Sequence, residues 1–384
     1  MEHADSLQDG NKTLGSNFSN VSGFDYYTCR EANEESVTFQ FYVWGIIANV
    51  IAAYGIAGNI MSIIVLRHRM MRNSTSYYLI SLAVYDIGVL LSMSLFLAIP
   101  TIYLEKGHLA DYYYAYMHMH PFCYPLALLA QTGTIYTTVG FTSERYIAVC
   151  HPLKAPNRCT KSRTKRVIIL ILIFSVVYNI PRFFEFKTVF NWDEQTNSSL
   201  PGIGLTELGK NNRFKLVYFI YMSPLVMFVL PFLIIFVLNI QLMRAVNLAK
   251  KTRTRLSTSA SKEANLTIML IAVIIVFLIC QLPSIADNIL WVIFDSADLN
   301  CSLSYIRFTS ITNLMVVINS AVNFVLYCAF GKRFRRVFVK TICHPWRKRQ
   351  PRFKYTMYES AATYNNNSRR VTSLKIMNSD STFL

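Results

Sequence analysis

The chain has 384 residues, 53% of them hydrophobic and only 15% charged, with a net charge of +17. An average soluble protein is about 25% charged, and here the apolar residues fall in uninterrupted runs of about 20, the length that crosses a hydrocarbon core. That excludes an ordinary water-soluble domain, and it leaves the basic excess to be explained either by nucleic acid or by membrane topology.

Seven apolar spans follow one another: Tyr42–Leu66, Tyr77–Ile102, Phe122–Val149, Val167–Phe184, Leu216–Met243, Leu266–Phe294 and Tyr305–Phe330. Before the first lies a polar tail, 1–41, with sequons at Asn11, Asn17 and Asn20 and no apolar leader, so the first span is expected to act as its own insertion signal. Sequons at Asn73 and Asn265 match equally well, and Asn197 carries another in the loop after span four. The segments joining spans one to two, three to four and five to six are rich in Lys and Arg, as is the stretch beginning Lys332-Arg333, while most acids lie in the alternate segments. This alternation predicts a multi-pass plasma-membrane protein with its N-terminus extracellular and its C-terminus cytoplasmic. Topology therefore accounts for the basic excess and nucleic acid does not. After the bundle, 42–330, residues 331–343 space Phe334, Val337, Phe338 and Ile342 as an amphipathic helix on the inner leaflet, in contact with membrane lipid. Its Cys343 is a palmitoylation candidate or a free thiol. The remainder, 344–384, is polar and expected to be disordered, and its Ser-Thr-Phe-Leu ending suits a PDZ groove.

Polar residues inside the spans carry the chemistry, because charge in hydrocarbon is costly. Asp86 falls at the midplane of span two, with Thr134, Asn319, Ser320 and Asn323 at similar depth. Two readings stay open: a neutral carboxyl hydrogen-bonded to a neighbouring helix, or a Na⁺ site built from oxygen ligands. Glu144-Arg145-Tyr146 ends span three. Arg145 either forms a solvated pair with Glu144 or reaches Glu263 at the start of span six, a latch whose breaking would free that helix. Pro231 and Pro283 mark spans five and six, and Tyr327 lies one helical turn beyond Asn323. There are no paired catalytic carboxylates, metal-ligand clusters or Gly-rich phosphate loops, so the chain is not expected to be an enzyme.

Six motifs stand in order: Gly58-Asn59; Leu82-Ala-Val-Tyr-Asp86; Glu144-Arg145-Tyr146 running to His151-Pro152; Phe277; Cys280-Gln-Leu-Pro283; and Asn319-Ser-Ala-Val-Asn323-Phe-Val-Leu-Tyr327. In this the chain resembles rhodopsin-like G-protein-coupled receptors, which implies an all-α integral membrane fold of seven helices and a short surface helix. Through Gln131–Thr138, Ile180–Glu185 and Ile318–Phe324 it is most similar to invertebrate FMRFamide-type neuropeptide receptors. It departs from the family in Phe324 for the span-seven proline, Gln281 for the usual tryptophan, Asn239 for a span-five tyrosine, and a span four without tryptophan.

The loop Glu185–Lys215 contains no cysteine, so the family's usual bridge from span three cannot form. Cys29–Cys301 is then the favoured disulfide, leaving Cys123 free and buried. The resemblance implies an amidated Arg-Phe peptide ligand, coupling to a heterotrimeric G protein, and arrestin as a further partner. Asp287, one turn above Pro283, is the preferred partner of the peptide's arginine, with Glu185 next; Gln131 and Gln281 are placed to bind the amide end. Asp287 also has a structural reading, as a contact to span five or seven. The rival functions are a receptor for a non-peptide ligand and a transporter, the latter opposed by the lack of internal repeats and of paired broken helices.

Overall fold

The computed structural model describes residues 30–106, 110–193, 198–252, 272, 275–284, 286–287, 290 and 302–343. Helix α1 runs through Arg30–Gln40, a π-helical stretch Phe41–Ala48, and Asn49–Arg67; α2 comprises Ser74–Met93, a π turn Ser94–Ala98 and Ile99–Lys106. Helix α3 is Ala110–Cys150, and α4 is Lys161–Asn179 closed by a 3-10 turn, Ile180–Phe184. Helix α5 is π-helical over Lys215–Met222 and Pro224–Val229, then α-helical over Leu230–Thr252. The described part of α6 includes Ile275–Ser284 and, beyond residue 285, Ala286 and Asp287. Helix α7 is Leu303–Phe330, followed after Gly331 by α8, Lys332–Phe338.

Among the described residues, five helices are long and apolar enough to cross a membrane: Glu35–Arg67, Ser74–Ile102, Lys161–Phe184, Asn212–Ala245 and Leu303–Phe330. At 41 residues, α3 is the longest helix described yet is not among the five. The reason is its position. It packs against α2, α4 and α5, and its Thr132, Thr134, Thr137, Thr138, Thr142 and Glu144 are all buried, so this helix meets other helices where a peripheral one meets lipid. It also begins at Ala110, well before the Phe122 expected from the apolar run, and passes through Pro121 and Pro125 without a break. Hydropathy marks where a helix enters hydrocarbon and not where its hydrogen bonds begin.

The segment after α4 is a two-stranded antiparallel hairpin, β1 Phe186–Asp193 and β2 Ser198–Leu205, with Phe186 opposite Leu205. Its strands replace the loop expected between spans four and five, and Phe186, Thr188, Phe190 and Trp192 do alternate with period two, as strand residues do. Without a cysteine it is held on α3 by other contacts. The Thr188 hydroxyl donates to the Met117 carbonyl at 3.2 Å, and the Phe186 ring stands edge-on to His120 and Tyr124, 5.3 and 5.5 Å between centroids. Cys123 is a free thiol, half-buried where burial was expected.

Close helix approach depends on small residues. A Cβ on Gly55 would fall 2.6 Å from that of Ala321, so α1 and α7 touch backbone to backbone there. Where the family has proline in span seven, Phe324 packs on Gly58 and against Phe334 and Phe338 of α8, 6.1 and 5.5 Å between centroids. Phe334 and Val337 are buried, so the apolar face of α8 turns onto the bundle, while Arg335 caps α7 by donating to the carbonyls of Cys328 and Ala329 at 2.9 and 2.6 Å.

Candidate functional site

Three buried polar clusters lie along the bundle. The first gathers the ends of α2, α3 and α4 around Glu144. Its carboxylate accepts from Ser74 at 3.0 Å, Thr75 at 3.2 Å and Thr164 at 2.9 Å, and pairs with Arg145 at 2.9 Å. Arg145 also donates to the Thr75 hydroxyl. Glu144 is only 6% exposed, so the solvated pair open from sequence is a desolvated, four-partner network, in which each donor offsets part of the cost of burying charge. Tyr146 turns away to His151, its hydroxyl 3.2 Å from Nε2. Tyr327 is buried beside Phe334, 5.5 Å between centroids. Glu263 lies outside the described residues.

The second cluster is at mid-depth. Asp86 is fully buried and accepts from Thr134 at 3.3 Å and from the Asn323 side-chain amide at 2.7 Å, joining α2, α3 and α7. Ser320 and Asn319 are buried one turn from Asn323, and Asn59 of α1 donates to the Ser320 carbonyl at 2.9 Å. The donor set fits a small hard cation: a carboxylate with lone pairs to spare, hydroxyls that accept as readily as they donate, and amides whose oxygen can be turned inward. Gly133 adjoins this cluster, and a Cβ there would overlap the ring of Tyr85, the neighbour of Asp86.

The third cluster lies at the hairpin end. Glu185 is buried at the base of β1 and paired with Arg182 at 2.8 Å. The Arg182 guanidinium lies over Phe219 and Tyr218 of α5, 4.2 and 4.9 Å from the ring centres. Arg182 escaped sequence reading, though a cation within an apolar span was the signal for it. Asp287 accepts from Thr309 of α7 at 2.6 Å, a contact between α6 and α7. Gln131 is half-buried, whereas Gln281 is 3% exposed and its side-chain carbonyl has no partner among the described residues. Arg307 at the head of α7 pairs with Glu35 of α1 and lies over Phe39.

The cysteines Cys29 and Cys301, the sequons at Asn11, Asn17, Asn20 and Asn197, and the C-terminal tail lie outside the described residues.

Residues Gly58–Tyr327 match the family model described as "7 transmembrane receptor (rhodopsin family)". The chain is 36% identical over 306 residues to the FMRFamide receptor of Drosophila melanogaster, covering 79% of this chain and 54%, about half, of that receptor's length. It is 30% identical over 297 residues to the FMRFamide peptide receptor frpr-18 of Caenorhabditis elegans, covering 76% of this chain and 67% of the relative. It is 28% identical over 369 residues to the thyrotropin-releasing hormone receptor of Gallus gallus, covering 87% and 86% of the two chains. With these matches and a bundle organised around buried Asp86 and the Glu144–Arg145 pair, the chain belongs to the rhodopsin family of seven-transmembrane receptors, which are receptors and not enzymes.

Proposed function

We propose that this receptor binds an amidated Arg-Phe neuropeptide at its hairpin end and promotes nucleotide exchange on a heterotrimeric G protein at its Arg145 end. It sits in the plasma membrane with the N-terminus outside. The observation that carries the reading is its similarity to receptors named for FMRFamide, in flies and in worms, across most of this chain. The charge distribution supports the orientation, because Lys and Arg concentrate in the segments at the Arg145 end.

The hairpin end offers two carboxylates in different states. Glu185 already has a guanidinium partner in Arg182. Asp287 has hydroxyl partners in Thr309 and Tyr305 of α7 and no ion pair among the described residues, and it is the partner proposed for the peptide's arginine. Since α6 is the helix that a switch must move, an ion pair on it favours one state over another. At the opposite end, Glu144 holds Arg145 against α2, with Glu263 as a second proposed restraint. At mid-depth, Asp86 with Thr134, Asn319, Ser320 and Asn323 is proposed to hold Na⁺, whose charge would stabilise the inactive packing. Cys29–Cys301 is the proposed disulfide. Challenging cells that express the receptor with a panel of amidated peptides, using calcium and cAMP reporters, tests the ligand class: Arg-Phe amides should activate, and silence to them with a response to other ligands overturns it.

A further inference from the structure

Arg182 and Glu185 belong to one 3-10 turn and its exit, so the hydrogen bond between them ties no helix to another. Both side chains are nevertheless desolvated, 8% and 6% exposed. Arginine carries five N–H donors. The Arg182 Nε is buried with no hydrogen-bond partner in the described structure. Around the pair stand aromatic rings from three elements: Tyr124 of α3, Phe186 of β1, and Tyr218 and Phe219 of α5. The result is an unused donor beside a carboxylate acceptor, in an aromatic box beneath the hairpin.

We propose that the Arg182–Glu185 pair is the subsite that reads the ligand's C-terminal carboxamide, Arg182 donating to its carbonyl and Glu185 accepting from its N–H₂. This rests on the peptide reading above and assigns the part of the ligand that reading leaves unplaced. A primary carboxamide carries one acceptor and a donor side by side, the complement of a guanidinium N–H next to a carboxylate. The pair is neutral overall, so a neutral amide enters without adding charge. A free C-terminal carboxylate has no N–H to give Glu185 and brings a like charge against it in a low-dielectric site. The aromatic box suits the phenylalanine that bears the amide. Because Arg182 already neutralises the charge of Glu185, the ligand's arginine has no claim on that carboxylate, which is consistent with Asp287 as its partner. The assignment replaces Gln131 and Gln281 as the amide's contacts.

The test is competition binding on the full-length receptor in cell membranes, with Phe-Met-Arg-Phe amide and its free acid as probes and surface expression measured alongside. The wild type should prefer the amide by at least about tenfold, the scale of one charged hydrogen bond. Glu185→Gln removes the repelling charge, so the acid should gain and the amide-to-acid ratio narrow by about tenfold. Arg182→Gln leaves Glu185 unneutralised, so the acid should lose more than the amide and the ratio widen. Opposite movements are the signature; a purely structural pair lowers both peptides alike and leaves the ratio where it was, which overturns the proposal. Should Glu185→Gln fail to reach the surface, Glu185→Asp, with the carboxylate withdrawn by one methylene, is read on the same ratio, and no change overturns the proposal. If neither peptide binds the wild type, the Arg-Phe reading falls first and takes this subsite with it.

Discussion

The Tyr136 hydroxyl of α3 donates to the Val226 carbonyl of α5 at 2.8 Å. Val226 lies in the π-helical stretch Pro224–Val229, in which each carbonyl looks five residues ahead for its N–H; five ahead of Val226 is Pro231, which has none. The tyrosine of one helix thus satisfies the carbonyl that a proline frees in another. Tyr136→Phe should remove that partner at a cost of about 1–3 kcal/mol. Thermal unfolding of the purified receptor should show a lower midpoint; an unchanged midpoint would mean that another donor serves Val226.

Gly133 and Tyr85 form a socket and its plug, since any Cβ at 133 overlaps the Tyr85 ring. Gly133→Ala should destabilise by about 1–3 kcal/mol, the range for overpacking, and Tyr85→Leu in the same chain should restore most of the loss. Comparing single and double variants in one thermal assay checks the coupling. Additive losses would show that the two positions do not share their space.

The network at Arg145 makes a functional prediction. Glu263→Ala should raise ligand-independent signalling if Arg145 is restrained from α6 as well as by Glu144. Arg145→Ala should abolish coupling while leaving agonist binding measurable. Basal activity equal to wild type at equal surface expression of Glu263→Ala would remove the α6 restraint from the mechanism.

Sodium should lower agonist affinity by stabilising the inactive packing around Asp86. Agonist competition in NaCl against the same ionic strength of a bulky organic cation reads this directly. Asp86→Asn should abolish the difference, because the amide keeps the shape of the site and loses its charge. Equal agonist affinity in both salts for the wild type would count against a cation there.

Replacing one partner of a desolvated charge pair costs about 2–5 kcal/mol, so Asp287→Ala should weaken agonist potency at least tenfold with surface expression intact. A peptide carrying citrulline for arginine should lose potency on the parent receptor and little on the variant. Equal citrulline penalties on both would exclude Asp287 as the arginine's partner.

The sequence by itself determined the class of solvent and the number of crossings, because an apolar run of helical length has one favourable environment and each polar group within it stands out against hydrocarbon. Asp86, Glu144 and Arg145 were legible for that reason, as was the family, through motifs at fixed depths. Tertiary structure decided which partners those groups have. Ser74, Thr75 and Thr164 look like ordinary hydroxyl residues until three helix ends converge on Glu144. The early start of α3 was invisible to hydropathy, because a helix surrounded by protein can be polar where a lipid-facing one cannot. The sequence favours Asp287 over Glu185 by its place on span six, but does not show which carboxylate has a cation beside it. Only the fold placed Arg182 within 2.8 Å of Glu185 and Thr309 within 2.6 Å of Asp287: a side chain's charge is written in the sequence, but its neutralisation depends on which residues the packed helices bring within hydrogen-bond range.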